Sequence, residues 1–285
     1  MKPAAFQYHA PTTVEQAIRI LAEVATEDGR VLAGGQSLVP IMAFRLARPA
    51  HLVDINGIDA LARLAAKDGQ LAIGACVRHA AFYAPVVEGP LGTLLTKVVR
   101  YIAHHPIRTR GTFCGSIAHA DPASEWCMLT ATLDAEMVLR SVRGTRTVAA
   151  KDFFSGIMTT MREDDELLTE VLIPLLPADT RFGFCEFSRR AGDFALGMAL
   201  ATYRVVNGAI VEPRIGMGGA EARPRRCAEA EAVLAGQAPV SAVFAAAANA
   251  AAAAIDPIED FHTSAGYRRD LMRVMTRRAL ERAAA

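Results

Sequence analysis

Two glycine-rich stretches far apart in the chain have the residue types of a phosphate-binding site. The first is Val31–Pro40, which reads Val-Leu-Ala-Gly-Gly-Gln-Ser-Leu-Val-Pro, and the second is Arg110–Pro122, which is again rich in Gly, Ser and Thr. Adjacent glycines allow a tight turn and remove the Cβ atoms that would keep a ligand away. Exposed backbone N–H groups in such a turn form a concavity suited to phosphate. Two such loops could bind one pyrophosphate from two sides.

Neither stretch is specific by itself. Gly34-Gly35 lacks the G-x-G-x-x-G spacing of a Rossmann turn and the Gly-Lys-Ser/Thr of a P-loop. By composition alone, a stretch of this kind is more often an ordinary turn than a phosphate site. The choice between the two interpretations therefore depends on a longer pattern.

Three ordered motifs supply that pattern. They are Ala33–Leu38 with Phe44–Pro49 and Leu52–Ile55; the second glycine-rich stretch; and Phe187–Ala195. Together they resemble the FAD-binding medium subunit of the molybdenum hydroxylases, the xanthine dehydrogenase and aerobic carbon monoxide dehydrogenase family. The second stretch is similar to that family's Thr-x-Gly-Gly-Asn-Ile-Ala-x-Ala-x-Pro motif, with Cys114 and Ser116 where Gly and Asn are usual. The resemblance extends from the N-terminus to about Glu281.

The resemblance implies a set of FAD contacts. The two loops would hold the pyrophosphate through backbone N–H groups, with the hydroxyls of Ser37 and Thr112 as further donors. A Cβ at position 114 fits only if φ is negative and the side chain points away from the phosphates. The implied cofactor-binding residues are Leu32, Ala33, Gly34, Gly35, Gln36, Ser37, Leu38, Gly111, Thr112, Cys114, Gly115, Ser116, Asp121, Glu125, Leu168 and Phe194.

Several of these residues have a second interpretation. An Asp near the position of Glu125 bonds ribose hydroxyls in the family, but Asp121 before Pro122 could instead form an Asx turn or cap the following helix. Leu168 would lie beside the flavin ring. Phe194 would lie near the ring too, or would be a core residue at a strand end. The family often has a Lys before Phe187, where this chain has Cys185-Glu186.

The elements that must position these residues indicate an α+β protein. The resemblance implies a two-lobed FAD-binding domain of the vanillyl-alcohol-oxidase-like (PCMH) type, followed by an antiparallel sheet with helices. We expect lobe 1 over residues 1–57, lobe 2 over 58–176 and a C-terminal domain like that of the carbon monoxide dehydrogenase flavoprotein over 177–285. Thr12 and Glu15 fit a capping box that opens the first helix, and 112–116 is expected to be a loop. Asn207-Gly208 between apolar runs predicts a type I′ hairpin.

Composition excludes several classes of protein. The chain of 285 residues carries 31 basic and 30 acidic residues, which argues against a general nucleic-acid or anionic-membrane binder. No run of about 18 apolar residues and no apolar leader occurs, so a cytoplasmic protein is expected. The five cysteines are scattered without C-x-x-C, so no iron–sulfur or zinc site is predicted, and they are interpreted as reduced thiols. His104, His105 and His119 are interpreted as surface or turn residues, and His262 is isolated in the sequence.

The function that the resemblance implies is electron transfer within a heterotrimer. A large subunit would hold the molybdenum cofactor, and a small subunit would pass electrons from two [2Fe–2S] clusters to FAD on this chain, which would release them to an external acceptor. The alternatives are a self-contained flavin oxidase or reductase, and a non-redox nucleotide-binding protein. No catalytic base stands out in the sequence. The substrate and the acceptor, whether NAD, quinone or oxygen, remain open at this stage.

Overall fold

The computed structural model describes residues 2–261 and 263–285, and its N-terminal part is a small three-stranded α/β unit. The parallel strand order is β1-β3-β2, with Gly29–Leu32 pairing against His51–Asp54. The elements of this unit are β1 Gln7–His9, α1 Val14–Val24, β2 Gly29–Leu32, α2 Leu38–Ala43 and β3 His51–Asp54.

The first helix begins one residue later than the predicted capping box requires. The side chain of Thr13, not Thr12, accepts from the N–H of Gln16, and Gln16 Oε1 accepts in turn from the N–H of Thr12. The N-cap is thus Thr13, and the predicted capping box of Thr12 with Glu15 was wrong. Val14, Ile18 and Leu21 are buried on one face of this helix.

The middle part is built on a five-stranded antiparallel sheet with the order β4-β5-β10-β6-β7. Helices pack against this sheet, and Trp126, Phe113 and Phe82 pack against one another in the core. Its elements are β4 Leu64–Lys67, β5 Gln70–Gly74, α3 Pro90–Val98, α4 His105–Arg110, α5 Phe113–His119, α6 Glu125–Thr132, β6 Glu136–Ser141, β7 Gly144–Ala149, α7 Ala150–Phe153, β8 Phe154–Gly156, β9 Thr159–Thr160 and β10 Leu167–Pro174. A 3-10 turn, His79–Tyr83, lies between β5 and α3.

The predicted loop at 112–116 is mostly helix. Thr112 is the N-cap of α5, and its Oγ1 accepts from the N–H of Gly115 at 3.0 Å. Phe113 and Ile117, four residues apart, are fully buried on one face. Gly115 and Ser116 are weak helix formers, so propensity favoured a loop, and the burial of that apolar face outweighed it.

The C-terminal part is a four-stranded antiparallel sheet with the order β11-β12-β13-β14, and helices pack on it. The predicted hairpin is present, with φ of 52° at Asn207 and 80° at Gly208. Its elements are β11 Arg181–Phe187, β12 Gly197–Val206, β13 Ala209–Gly218, β14 Arg225–Arg226, α8 Ala228–Leu234, α9 Ser241–Ala254 and α10 Ala265–Ala284. In the described residues, no helix combines the length and the apolar character needed to cross a bilayer.

Candidate functional site

The two glycine-rich segments touch each other through their backbones. A Cβ atom on Gly34 would lie 2.5 Å from the carbonyl oxygen of Arg110 and 2.6 Å from the Cα of Gly111. Only glycine at position 34 permits this approach, since any side chain would occupy the backbone of the second segment. The turn between β2 and α2 is thereby fixed against the segment that leads into α5.

The first loop presents free backbone donors. Its shape is held by Asn56 Nδ2, which donates to the carbonyl of Ala33 at 2.7 Å, and by Gln36 Nε2, which donates to the carbonyl of Gly34 at 2.9 Å. Within the described chain, the amides of Gln36, Ser37 and Leu38 have no acceptor. Because these residues line the cavity described next, their N–H groups are available to an anionic ligand.

A cavity of about 440 Å³ lies between the two segments. The predicted residues of both segments, apart from Asp121, line it, and so does Leu168 on β10. The cavity is also lined by residues that the sequence did not single out, Arg30 from β2 and Met158–Thr160, Arg162 and Asp164 from the segment before β10. A polar run just before a buried strand was the available signal for the latter group, and it was missed.

Cys114 has the geometry that a side chain needs in the second segment, namely a negative φ and a direction away from the cavity. It lies inside α5 with ordinary helical geometry, and its thiol donates to the carbonyl of Ile73 at 3.3 Å, away from the cavity. Burial raises the pKa of this thiol well above its ordinary value. A cysteine in place of the usual glycine therefore leaves the ligand side of the segment unobstructed.

The second segment contributes fewer free amides than the first. The N–H of Phe113 donates to the carbonyl of Val77, and those of Gly115 and Ser116 donate to Thr112. Ser116 nevertheless lines the cavity together with residues of the first loop.

A second cavity of about 240 Å³ continues from the first and shares Gln36, Ser37, His79, Ser116 and His119 with it. The predicted Asp121, Glu125 and Phe194 line this second cavity. The sequence pattern therefore identified residues that the fold brings together around one continuous space.

These three residues differ in their surroundings. Asp121 forms the Asx turn that was its second interpretation, because its Oδ1 accepts from the N–H of Ala123 at 2.8 Å. Glu125 is only 8% exposed, and burial raises the pKa of its carboxyl to about 7. Phe194 is 67% exposed, so its interpretation as a core residue was wrong. It lines the second cavity from this exposed position.

The next question is whether the remaining titratable groups could hold a metal. Among residues 2–261 and 263–285, no cluster of His, Cys, Asp and Glu has an arrangement that could hold a metal. The five cysteines are buried and free. His104 and His105 are exposed and His119 is half-buried. His262 lies outside the described residues.

The combined space fits FAD. An elongated dinucleotide needs a narrow anion-binding centre with a pocket on each side. The cradle that Gly34 opens, the free amides of 36–38 and the adjoining cavity with Glu125 and Phe194 supply these parts. Leu168 supplies apolar surface at the junction with β10.

Comparison with known proteins gives two family matches that together cover nearly the whole chain. Residues 4–176 match the FAD binding domain in molybdopterin dehydrogenase, and residues 182–283 match the CO dehydrogenase flavoprotein C-terminal domain. The boundary between the matches falls in the connection between β10 and β11.

Individual relatives agree with these matches. The chain is 39% identical over 284 residues to the 6-hydroxypseudooxynicotine dehydrogenase complex subunit alpha of Paenarthrobacter nicotinovorans, covering 99% of this chain and 96% of that protein. The fold matches carbon monoxide dehydrogenase from Hydrogenophaga pseudoflava with a TM-score of 0.95 at 35% identity, over 100% of this chain and 99% of that chain. It matches quinoline 2-oxidoreductase from Pseudomonas putida 86 with a TM-score of 0.92 at 38% identity, over 100% and 98% of the two chains.

Proposed function

Since the chain belongs to the family of FAD-binding medium subunits of the molybdenum hydroxylases, we propose that it is the electron-transfer subunit of such an enzyme. FAD is its cofactor. In the proposed assembly, a small subunit delivers electrons from [2Fe–2S] clusters, and a large subunit with the molybdenum cofactor oxidises the substrate. The chain passes the electrons to an external acceptor. It is thus an oxidoreductase component whose substrate is selected by another subunit.

The observation that carries this proposal is the contact of Gly34 with the backbone of Arg110 and Gly111 at the edge of a 440 Å³ cavity. This contact places two segments that are distant in sequence on opposite sides of one narrow space. When bound, FAD supplies a redox centre that accepts and releases electrons. The residues of this chain hold the cofactor, orient it and limit the access of water.

We assign each predicted residue a part in this binding. The first loop, 32–38, donates backbone hydrogen bonds to the pyrophosphate, and the segment 111–116 closes it from the other side. Glu125 accepts from ribose or ribityl hydroxyls, because a carboxyl group can accept from two donors. Asp121 holds the turn that brings Glu125 to the cavity. Leu168 and Phe194 contact the flavin ring.

The division of the chain follows from the same assignment. Residues 1–57 and 58–176 form the two FAD-binding lobes, and 177–285 form the C-terminal domain that carries Phe194. The two hydrophobic cores support this division in part, since one includes residues from α1 to β12 and the other is built from β11 to α10. The cofactor lies where the two lobes meet.

The relatives differ widely in the compounds that their names contain, which include carbon monoxide, quinoline and 6-hydroxypseudooxynicotine. The matched chains in the structures of carbon monoxide dehydrogenase and quinoline 2-oxidoreductase nevertheless have the same fold as this one. This contrast supports the proposal that a subunit other than this chain selects the substrate.

The test has two stages. The purified chain is titrated with FAD, and about one FAD per chain with a flavin absorption spectrum is expected. The chain is then assembled with the molybdenum and iron–sulfur subunits of its own complex, and substrate is added without an acceptor. Loss of the flavin's visible absorption in the complex, and not in the isolated chain, is the expected result. Bleaching of the isolated chain by substrate would show a self-contained flavin enzyme, and failure of both forms to bind FAD would refute the proposal.

A further inference from the structure

The strongest unassigned polar group near the site is a buried histidine at the junction of the two cavities. His79 is 4% exposed, and it lines both the larger and the smaller cavity. No sequence motif marks this residue, because a single histidine in Val77-Arg78-His79 matches none. A buried polar side chain that faces an open space needs a partner there.

One ring nitrogen of His79 is already occupied. The indole Nε1 of Trp126, which is fully buried, lies 3.0 Å from Nδ1 of His79. An indole N–H can only donate, so Nδ1 must be the acceptor and carries no proton. Trp126 does not line either cavity, so this side of the ring faces the core.

The other ring nitrogen faces the cavities. A Cβ on Gly111 would lie 2.6 Å from Nε2 of His79, so Nε2 lies directly against the second glycine-rich segment. In the part of the chain that the structure describes, no acceptor bonds to Nε2. Burial, with Arg108 and Arg78 nearby, lowers the pKa of His79 to about 4, so the ring is neutral at neutral pH. A neutral ring with an unprotonated Nδ1 has its proton on Nε2.

We propose that His79 is a cofactor-binding residue that donates a hydrogen bond from Nε2 to an oxygen in the pyrophosphate–ribityl segment of FAD, and that Trp126 is the positioning residue that fixes its tautomer. The inference rests on the proposed FAD site. Besides His79, the residues that line both cavities are Gln36, Ser37, Ser116 and His119. His79 therefore lies where the middle of the dinucleotide would pass from one cavity to the other. A neutral donor stabilises an anionic oxygen without adding a charge to the site.

The matched pair of variants is His79→Asn and His79→Gln. The amide of Asn reaches only to the place of Nδ1, so it keeps an acceptor for Trp126 and loses the donor at Nε2. The longer Gln can place an N–H near the position of Nε2. We expect His79→Asn to weaken FAD binding by about 10- to 100-fold, which is the effect of removing one hydrogen bond to a charged acceptor. His79→Gln should restore most of that loss.

FAD affinity is measured by fluorescence titration of the full chain after removal of bound flavin. His105→Asn is the control, since His105 is exposed and lines neither cavity. The thermal unfolding midpoint of the FAD-free variants separates a folding defect from a lost contact. Titration with ADP, which has the pyrophosphate and lacks the ribityl chain, locates the acceptor. If His79→Asn loses affinity for ADP as well as for FAD, the acceptor is a phosphate oxygen. If it loses affinity for FAD alone, the acceptor is an oxygen of the ribityl chain.

A second measurement does not depend on any variant. The ¹⁵N spectrum of histidine-labelled protein should show His79 as the neutral Nε2–H tautomer, with an Nε2 signal that shifts when FAD is added. An Nδ1–H tautomer or an imidazolium ring would overturn the inference, as would a His79→Asn chain that binds FAD as tightly as the wild type. If the wild type itself fails to bind FAD, the proposed site falls, and not only the role of His79.

Discussion

Replacing Gly34 with Ala tests whether the contact between the two glycine-rich segments creates the FAD site. The new Cβ would lie 2.5 Å from the carbonyl oxygen of Arg110 and 2.6 Å from Cα of Gly111. Both are backbone atoms, so no side-chain rotation can relieve the overlap. The optimum separation of non-bonded heavy atoms is about 3.5 Å or more, so the segments must move apart by roughly 1 Å.

The free-energy cost of that movement lowers both the stability of the folded chain and its affinity for FAD. Overpacking of this kind typically costs about 1–3 kcal/mol. If the segments separate in the folded chain, a ligand held from both sides loses contacts on one side. A loss of about 1.4 kcal/mol or more in FAD binding corresponds to a tenfold or larger rise in Kd.

The assay compares Gly34→Ala with Gly57→Ala by FAD titration and by urea unfolding of the FAD-free chains. Gly57 lies in the turn after β3, and a Cβ there would meet only the carbonyl oxygen of Pro11, at an ordinary distance of 3.7 Å. The control should bind FAD as the wild type does. Wild-type FAD affinity and wild-type stability in Gly34→Ala would refute the reasoning that this contact defines the site.

Three further predictions concern other residues of the same space. Burial raises the pKa of Glu125 from its ordinary 4.5 to about 7, so the folded FAD-free chain should lose up to about 3 kcal/mol of stability as pH rises through that interval. In urea unfolding, Glu125→Gln should reduce this dependence of the unfolding free energy on pH. The same pH dependence in the variant and the wild type would contradict the prediction. Phe194→Ala removes a 67%-exposed ring, so the free energy of unfolding should change by less than about 0.5 kcal/mol. The fluorescence of bound flavin should change. An unchanged flavin absorption spectrum and fluorescence would show that Phe194 is not part of the site. The five buried thiols, Cys114 among them, should react with a thiol reagent only after denaturation, and fast labelling of the native chain would contradict their burial.

The sequence predicted best where one local pattern determines the element. Asn207-Gly208 between two apolar runs requires positive φ at both turn residues, and the hairpin has them. The alternation of buried and half-buried residues along Glu136–Ser141 is a local pattern of the same kind. These elements are set by residues within a few positions of one another.

Elements that depend on distant partners were missed. β1 has only three residues, and its strand character comes from parallel pairing with β3 more than forty residues later. His79 has no sequence signal because its tautomer depends on Trp126, and its position depends on the close approach of Gly111. The cavity-lining residues before β10 were missed for the same reason, since β10 and β2 belong to different sheets and only the packing of these sheets brings the residues to one cavity.

The two glycine-rich segments resemble each other in composition, but they have different roles in the proposed site. In the first, the amides of 36–38 have no acceptor among the described residues, so the backbone itself is left to bind an anion. In the second, most amides are already bonded by the cap at Thr112 and by Val77, which fixes α5 rigidly against the core. Its contribution is therefore position: it places Ser116 at the cavity and Gly111 against Gly34. A Cys at position 114 is compatible with this division because the side chain points into the core, where a rigid support needs apolar contacts and the ligand does not reach.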